Sequence, residues 1–286
     1  SRARWARTIA APEAQRLANQ GALVEAFMLA RQALDVQPDD PHLQELFQEV
    51  SARANITTDP AGAEVAVAAY RTPSANWFSL GQTPLAGVRV PRGLFRVRIS
   101  KPGFQSIDGS RSPAPLRYRL DPVDTLPPGM VRVVGTREPI RQGLANELDD
   151  YWIDKFEVSN RQYKEFVDHG GYRRRDYWPE ALLEGGRSVP WEEAIERFRD
   201  ATGQPGPATW RAGTYPAGQE DFPVGGVSWY EASAYAAFAG KNLPTVHHWF
   251  LAARLGRFAD ILTVSNFGGS GPSRVGAGLG PFGTFD

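Results

Sequence analysis

Four carboxylates crowd one short stretch: Asp149, Asp150, Asp154 and Glu157. Such a pair could act as general acid and base in glycoside hydrolysis. The same residue types also end strands and cap helices, which is the plainer reading. The histidines are badly placed for a shared metal. His247 and His248 are adjacent, so on a helix they point about 100° apart and cannot chelate one ion together. His42 and His169 lie in distant segments. The chain has no cysteine. That excludes a disulfide, a zinc–thiolate site and a thiol nucleophile built from these residues. Glycine-rich runs at 267–271 and 276–280 lack the Lys-Ser/Thr and following helix of a phosphate loop. Aromatic residues offer more. Tyr172, Trp178, Trp191, Trp210 and Tyr215 fall in a Gly/Pro-rich insertion that also contains Tyr177 and Arg173-Arg174-Arg175. Aromatics on loops form recognition surfaces, and they also anchor loops that lack regular structure. On the first reading these five residues are candidate contacts for a protein or carbohydrate ligand.

Positioning such residues takes a framework, and 286 residues suit about two domains. Basic and acidic residues balance at 32 each, so a polyanion-coating role is excluded and no nucleic-acid partner is expected. No apolar run is long enough to span a bilayer. Residues 1–53 carry apolar positions at helical spacing (Leu17, Leu23, Val24, Phe27, Leu34). After Pro38-Asp39, Asp40 caps a second stripe that has Pro41 at its first position. A helical hairpin is predicted. Residues 54–122 switch to alternation, as in Glu64-Val65-Ala66-Val67 and Phe95-Arg96-Val97-Arg98-Ile99, between Pro/Gly turns. A small β-sandwich is predicted there. It has nine basic and four acidic residues, with Arg96 and Arg98 on one face, so a phosphate-bearing polymer or lipid is one candidate contact and a solvated face the other. Prolines near 110–128 suit an extended linker. Residues 123–286 form the third segment, in which Ser159 or Asn160, Ser228 (with Glu231 three residues on) and Thr245 are predicted helix caps.

Several strings resemble known families. Gly21-x5-Phe27-x-Leu29-Ala30-x2-Ala33-Leu34 with Pro38 is similar to part of a tetratricopeptide unit. Asp59-Pro60-Ala61-Gly62-Ala63-Glu64-Val65, Gly81-Gln82-Thr83-Pro84-Leu85 and Gly93 to Phe104 resemble a PEGA module. Its Pro-Glu-Gly-Ala signature reads Pro60-Ala61-Gly62-Ala63 here, one position off. Most specific are three strings in fixed order: Asp154-x2-Glu157-Val158-Ser159-Asn160-x-Gln162-Tyr163, Pro223-Val224-x2-Val227-Ser228-Trp229-Tyr230-Glu231-Ala232 and Leu243-Pro244-Thr245-x3-Trp249-x2-Ala252-Ala253-Arg254. They resemble the formylglycine-generating enzyme, or sulfatase-modifying-factor, family. The resemblance implies an α+β chain with a modified C-type-lectin-like domain over 123–286, incomplete at its C-terminus.

Departures shape what is expected of function. Val246, His247, His248 and Phe250 replace residues around Trp249 that include the family's acidic positions. The paired cysteines of the family's oxidases would follow Asp286, so copper is expected only if that stretch carries them, Cu(I) favouring soft thiolates. A family calcium site uses an asparagine matching Asn266 and the carbonyl of Phe267, so the resemblance implies calcium there. The acidic ligand expected soon after has no match in 268–274, and calcium takes six to eight oxygens. The order hairpin, PEGA module, lectin-like domain resembles the non-kinase half of certain bacterial Ser/Thr protein kinases, although no kinase motif occurs in these residues. The leading expectation is therefore a non-catalytic ligand- or partner-binding sensory region of a larger bacterial protein, tethered to membrane or cell envelope through its parent. The alternative is a fragment of a copper-dependent formylglycine-generating oxidase acting on a protein cysteine.

Overall fold

The computed structural model describes residues 2–70, 76–111, 116–137, 147–253, 265–266, 268–280 and 282–285. Helix α1 (Arg2–Trp5) passes through a π-helical turn, Ala6–Ala10, into α2 (Ala11–Asn19). Gly21, at φ +78°, turns the chain into α3 (Leu23–Val36). The Asp40 carboxylate then accepts from the amides of His42 (3.1 Å) and Leu43 (3.3 Å) and starts α4 (Pro41–Glu49). These bonds satisfy donors that no helical carbonyl can reach.

Seven strands follow: β1 (Ser51–Asp59), β2 (Glu64–Ala69), β3 (Phe78–Gln82), β4 (Leu85–Pro91), β5 (Phe95–Ser100), β6 (Ile107–Arg111) and β7 (Leu116–Arg119). They make two sheets, ordered β4-β1-β7 and β3-β2-β5-β6. β1 lies antiparallel to β4 and parallel to β7. Alternation along β5 buries Phe95, Val97 and Ile99 and turns Arg96 and Arg98 outward. β1 begins at Ser51, so the predicted helical stretch ends sooner than residue 53. Likewise β7 occupies part of the predicted proline-rich linker.

The helices and the sheets share one core. Val24, Phe27, Ala30, Leu46, Phe47 and Val50 pack in the same buried cluster as Ile56, Val65, Val67, Val90, Phe95, Val97 and Ile99. At roughly 1.5–3 kcal/mol for each large aliphatic or aromatic side chain buried, this cluster is the main source of stability in the first 120 residues.

The remainder is less regular. β8 (Met130–Val133) pairs antiparallel with β9 (Tyr151–Asp154). Helix α5 (Asn160–Asp168) is followed by the hairpin β10 (Leu182–Glu184) and β11 (Arg187–Val189), the single turn α6 (Trp191–Ala194), α7 (Trp229–Phe238) and α8 (Val246–Ala253). A second core of Tyr163, Phe166, Tyr172, Trp178, Leu182, Ala194, Trp210 and Ala234 sits between them. The two halves meet along the outer strand β6. The Ser110 amide donates to the Gly280 carbonyl (2.9 Å). The Tyr70 hydroxyl donates to the Leu279 carbonyl (3.0 Å) and accepts from the Leu279 amide (2.9 Å). Among the described residues no helix is long and apolar enough to cross a membrane.

Candidate functional site

Two serine caps fix the helices of the second half. Ser159 Oγ accepts from the Gln162 amide (3.3 Å), and Gln162 Oε1 accepts from the Ser159 amide (2.9 Å). Ser228 and Glu231 repeat this at α7, with distances of 3.3 and 2.7 Å. Each is a capping box, which satisfies two orphan amides reciprocally. Glu231 does more. It is buried, and its Oε1 accepts from the Tyr172 hydroxyl (2.6 Å), which lies 3.2 Å from the Tyr163 hydroxyl. Burial, then the neighbouring Tyr163 and Glu231, pushes the Tyr172 pKa far above its ordinary value, so it stays a neutral donor.

Asn160 ties α5 to the insertion. Its Oδ1 accepts from Trp210 Nε1 (2.9 Å), and its Nδ2 donates to the Gln219 carbonyl (2.8 Å). Trp178 Nε1 likewise donates to the Gly171 carbonyl (2.9 Å). Gly226, at φ +72°, lets its string pass so close to Thr209 that a Cβ would lie 2.8 Å from the Thr209 nitrogen.

The five aromatic ligand candidates are therefore placed mainly in the core. Tyr172, Trp178 and Trp210 are buried, with their polar atoms paired internally. Tyr215 packs edge-on against Trp210 (5.5 Å), and half-buried Trp191 packs against the same cluster. The physical reason is that irregular loops lack a backbone ladder, so indole and phenol groups supply both apolar area and hydrogen bonds. Sequence reasoning had no periodicity by which to choose between core and surface.

A loop organised by Asp200 escaped the sequence reading. The Asp200 carboxylate accepts from the Thr202 amide (2.7 Å) and hydroxyl (2.8 Å), and from the amides of Gln204 (3.0 Å) and Gly213 (2.7 Å). Burial alone would raise its pKa; these donors overcome that and hold it at about 2. The Asp-x-Thr spacing is the signal that could have revealed it.

The carboxylates that suggested acid–base chemistry are engaged elsewhere. Asp154 pairs with Lys241 (2.6 Å) and Asp149 with Arg137 (2.7 Å). Asp150 accepts from the Gly135 amide (3.0 Å) and from Arg132 (3.2 Å). Arg132 also pairs with Asp121 (2.5 Å), whose hydrogen bonds raise its pKa further. Arg119, Thr136, Arg137, Leu148, Asp149 and Asp150 line an open polar cleft of about 400 Å³. Cationic and anionic rims suit a polar ligand held by charge. Arg96 and Arg98 are also committed: both bond Asp108 Oδ2 (2.9 Å each), and Arg98 lies 4.0 Å from the centroid of the Trp77 ring. Asp108 and Trp77 thus compete with any phosphate for this pair. His248 Nδ1 lies 2.6 Å from Thr245 Oγ1, the predicted cap of α8, whose Oγ1 also accepts from the His248 amide (3.4 Å).

Residues 116–280 match the sulfatase-modifying factor enzyme 1-like domain. The chain belongs to this family. Among curated proteins, it is 36% identical to a formylglycine-generating enzyme of Thermomonospora curvata over 127 residues, covering 38% of this chain and 39% of that one. It is 32% identical to a hercynine oxygenase of Mycolicibacterium thermoresistibile over 110 residues (36% of this chain, 22% of that one). It is 33% identical to the mouse inactive C-alpha-formylglycine-generating enzyme 2 over 159 residues (49% of this chain, 50% of that one). The chain thus spans half or less of the length of these relatives.

Within this sulfatase-modifying-factor domain, the matched strings are those that build the caps and the Asn160–Trp210 link. The metals implied by resemblance find no support in the donor set. With no cysteine, the chain offers copper no thiolate. Among the described residues no three His, Cys, Asp or Glu side chains gather as a metal site. Asn266 is exposed, and its Nδ2 donates to the Gly271 carbonyl (2.8 Å). Phe267 lies outside the described residues. The expected calcium site therefore rests on one asparagine and is not supported.

Proposed function

We propose that these residues form the framework of an oxidase domain of the formylglycine-generating type, in a protein that acts on a cysteine of a protein substrate. The observation that carries this reading is the interlocking of the family strings. The Ser159 and Ser228 caps, the Asn160–Trp210 bond and the Glu231–Tyr172 bond hold α5, α7 and the insertion in one arrangement. Family membership and 36% identity to a formylglycine-generating enzyme point the same way. The residues here position and pack; a thiolate pair for copper would have to come from residues other than these. Incubating the full-length parent with a Cys-containing sulfatase peptide and trapping aldehyde with a hydrazide probe tests the reading. Aldehyde formation is expected; a peptide recovered unchanged with copper supplied would overturn it.

A second reading is a recognition domain without catalysis, in a bacterial and membrane- or envelope-tethered parent such as a Ser/Thr kinase. It is favoured by similarity, at 33% identity, to a relative named as inactive. The polar cleft beside Arg119 and Arg137 would then be the place for a ligand. The parent reading frame separates the two: a kinase without a cysteine pair supports recognition, and a cysteine pair without a kinase supports the oxidase.

A further inference from the structure

The first half carries a charge arrangement that neither reading uses. Along β1, Ala54 and Ile56 face the first core, while Arg53, Asn55 and Thr57 are exposed on the other side of the sheet. The neighbouring strands add guanidinium groups to that outer face. Arg89 on β4 stands directly opposite Arg53, and Arg117 on β7 stands beside Thr57. Arg119 follows beside Asp59. Arg92, just after β4, is close enough to act on Arg89: burial, then the charges of Arg53 and Arg92, pulls the Arg89 pKa down.

This charge is not balanced within the protein. Arg119 has Asp59 beside it and Asp150 at 3.6 Å. No carboxylate among the described residues pairs with Arg53, Arg89, Arg92 or Arg117. Arg53 donates to the Gly87 carbonyl (3.3 Å) and Arg89 to Ser51 Oγ (3.2 Å), which leaves both charges uncompensated. Like charges facing each other across a strand pair are destabilising, so an anion laid over Arg53 and Arg89 relieves their repulsion. The other sheet differs, because its Arg96 and Arg98 both hold Asp108.

The layout of the face selects the kind of anion. From Arg53 to the level of Arg117 is four residues of β1, or about 13 Å. One phosphate cannot bridge that span, whereas a chain of phosphates can touch both ends. The residues exposed between the arginines on β1 are Asn55 and Thr57, which offer hydrogen bonds and no apolar group to insert into lipid. Tyr118 is the one aromatic residue of the three strands, and it is buried, so no ring is offered for stacking on bases. The balanced charge of the whole chain confines the contact to this face.

We propose that the outer face of the β4-β1-β7 sheet binds a linear phosphate polymer, with Arg53 and Arg89 holding one stretch of it and Arg117 the next. The proposal rests on neither reading of the family domain, and its failure would leave both untouched.

The probe is long-chain inorganic polyphosphate, end-labelled with fluorescein, titrated into the whole chain and read by fluorescence anisotropy. Saturable binding is expected, with affinity falling as salt rises because counterions are released. Arg53→Gln and Arg117→Gln should each weaken binding roughly tenfold. Each should also lower the slope of log affinity against log salt by about one. Arg31→Gln, on α3 and paired with Asp35, should change neither quantity. Arg53→Gln removes the like-charge opposition, so its Tm should hold or rise, and lost binding cannot then be assigned to unfolding. Four results would overturn the proposal. One is no saturation up to about 1 mM polymer. Another is an equal loss in Arg98→Gln, which would move the contact to the other sheet. The third is tighter binding to phosphatidylglycerol vesicles than to polyphosphate at equal phosphate. The last is tighter binding to oligothymidylate at equal phosphate, which would mean that bases are read.

Discussion

The two cores are built from different materials. The first pairs helices with two β-sheets through Val, Ile, Leu and Phe at periodic positions. The second gathers Tyr and Trp from an irregular chain and ties them with side-chain hydrogen bonds to Asn160, Glu231 and backbone carbonyls. A regular ladder lets a core be purely apolar, because the backbone satisfies itself. Where the ladder is missing, polar side chains must do that work, and single residues become indispensable. The first half should therefore lose stability in proportion to the apolar volume removed, whereas the second should fail at its polar ties.

The largest expected effect tests the second core. Trp210→Ala removes both the aromatic mass and the partner of Asn160, and should cost about 4–5 kcal/mol in urea unfolding. Near-UV circular dichroism from the aromatic half should collapse while amide exchange in β2 and β5 stays slow. Loss of protection in both halves at once would break the comparison. In the first core, Ile99→Ala should cost about 2–4 kcal/mol from the cavity alone.

Next is Asp200→Asn, which cannot accept from all of Thr202, Gln204 and Gly213, and should cost about 2 kcal/mol. The folded pKa of about 2 lies below the usual carboxylate value. The contribution is thus fully present above about pH 4 and is lost as pH falls through 2. The variant's stability should be flatter than the parent's across that window, as read from Tm against pH. A parallel decline in both proteins would show that the loop does not depend on this carboxylate. Smallest are the caps: Ser159→Ala and Ser228→Ala should each cost about 1 kcal/mol. The second should cost more, because Glu231 also holds Tyr172.

These differences also explain what the sequence revealed. Asp40 and Ser228 were legible as caps, and the cap of α5 was narrowed to Ser159 or Asn160, of which Ser159 takes the place, because one residue type at one offset decides the geometry. β2 and β5 were legible from alternation. Ser51 to Arg53 read as helix but pair with Pro91 to Arg89, since tertiary pairing overrides the helical preference of Ala and Arg. Trp178 and Trp210 gave no clue to their burial, because a loop has no face to count. The Asp154–Lys241 pair joins residues 87 positions apart, and spacing cannot show it.

The bonds from Tyr70 and Ser110 to Leu279 and Gly280 carry a consequence in time. Tyr70 and Leu279 are 209 positions apart. At synthesis rates of roughly 5–20 residues per second, Ser110 on the outer strand β6 waits about 8–34 s for Gly280, 170 positions further on. A bare strand edge invites pairing with any passing chain. The newborn chain is therefore exposed to wrong partners after its first half has folded, until the segment around Leu279 and Gly280 closes that edge.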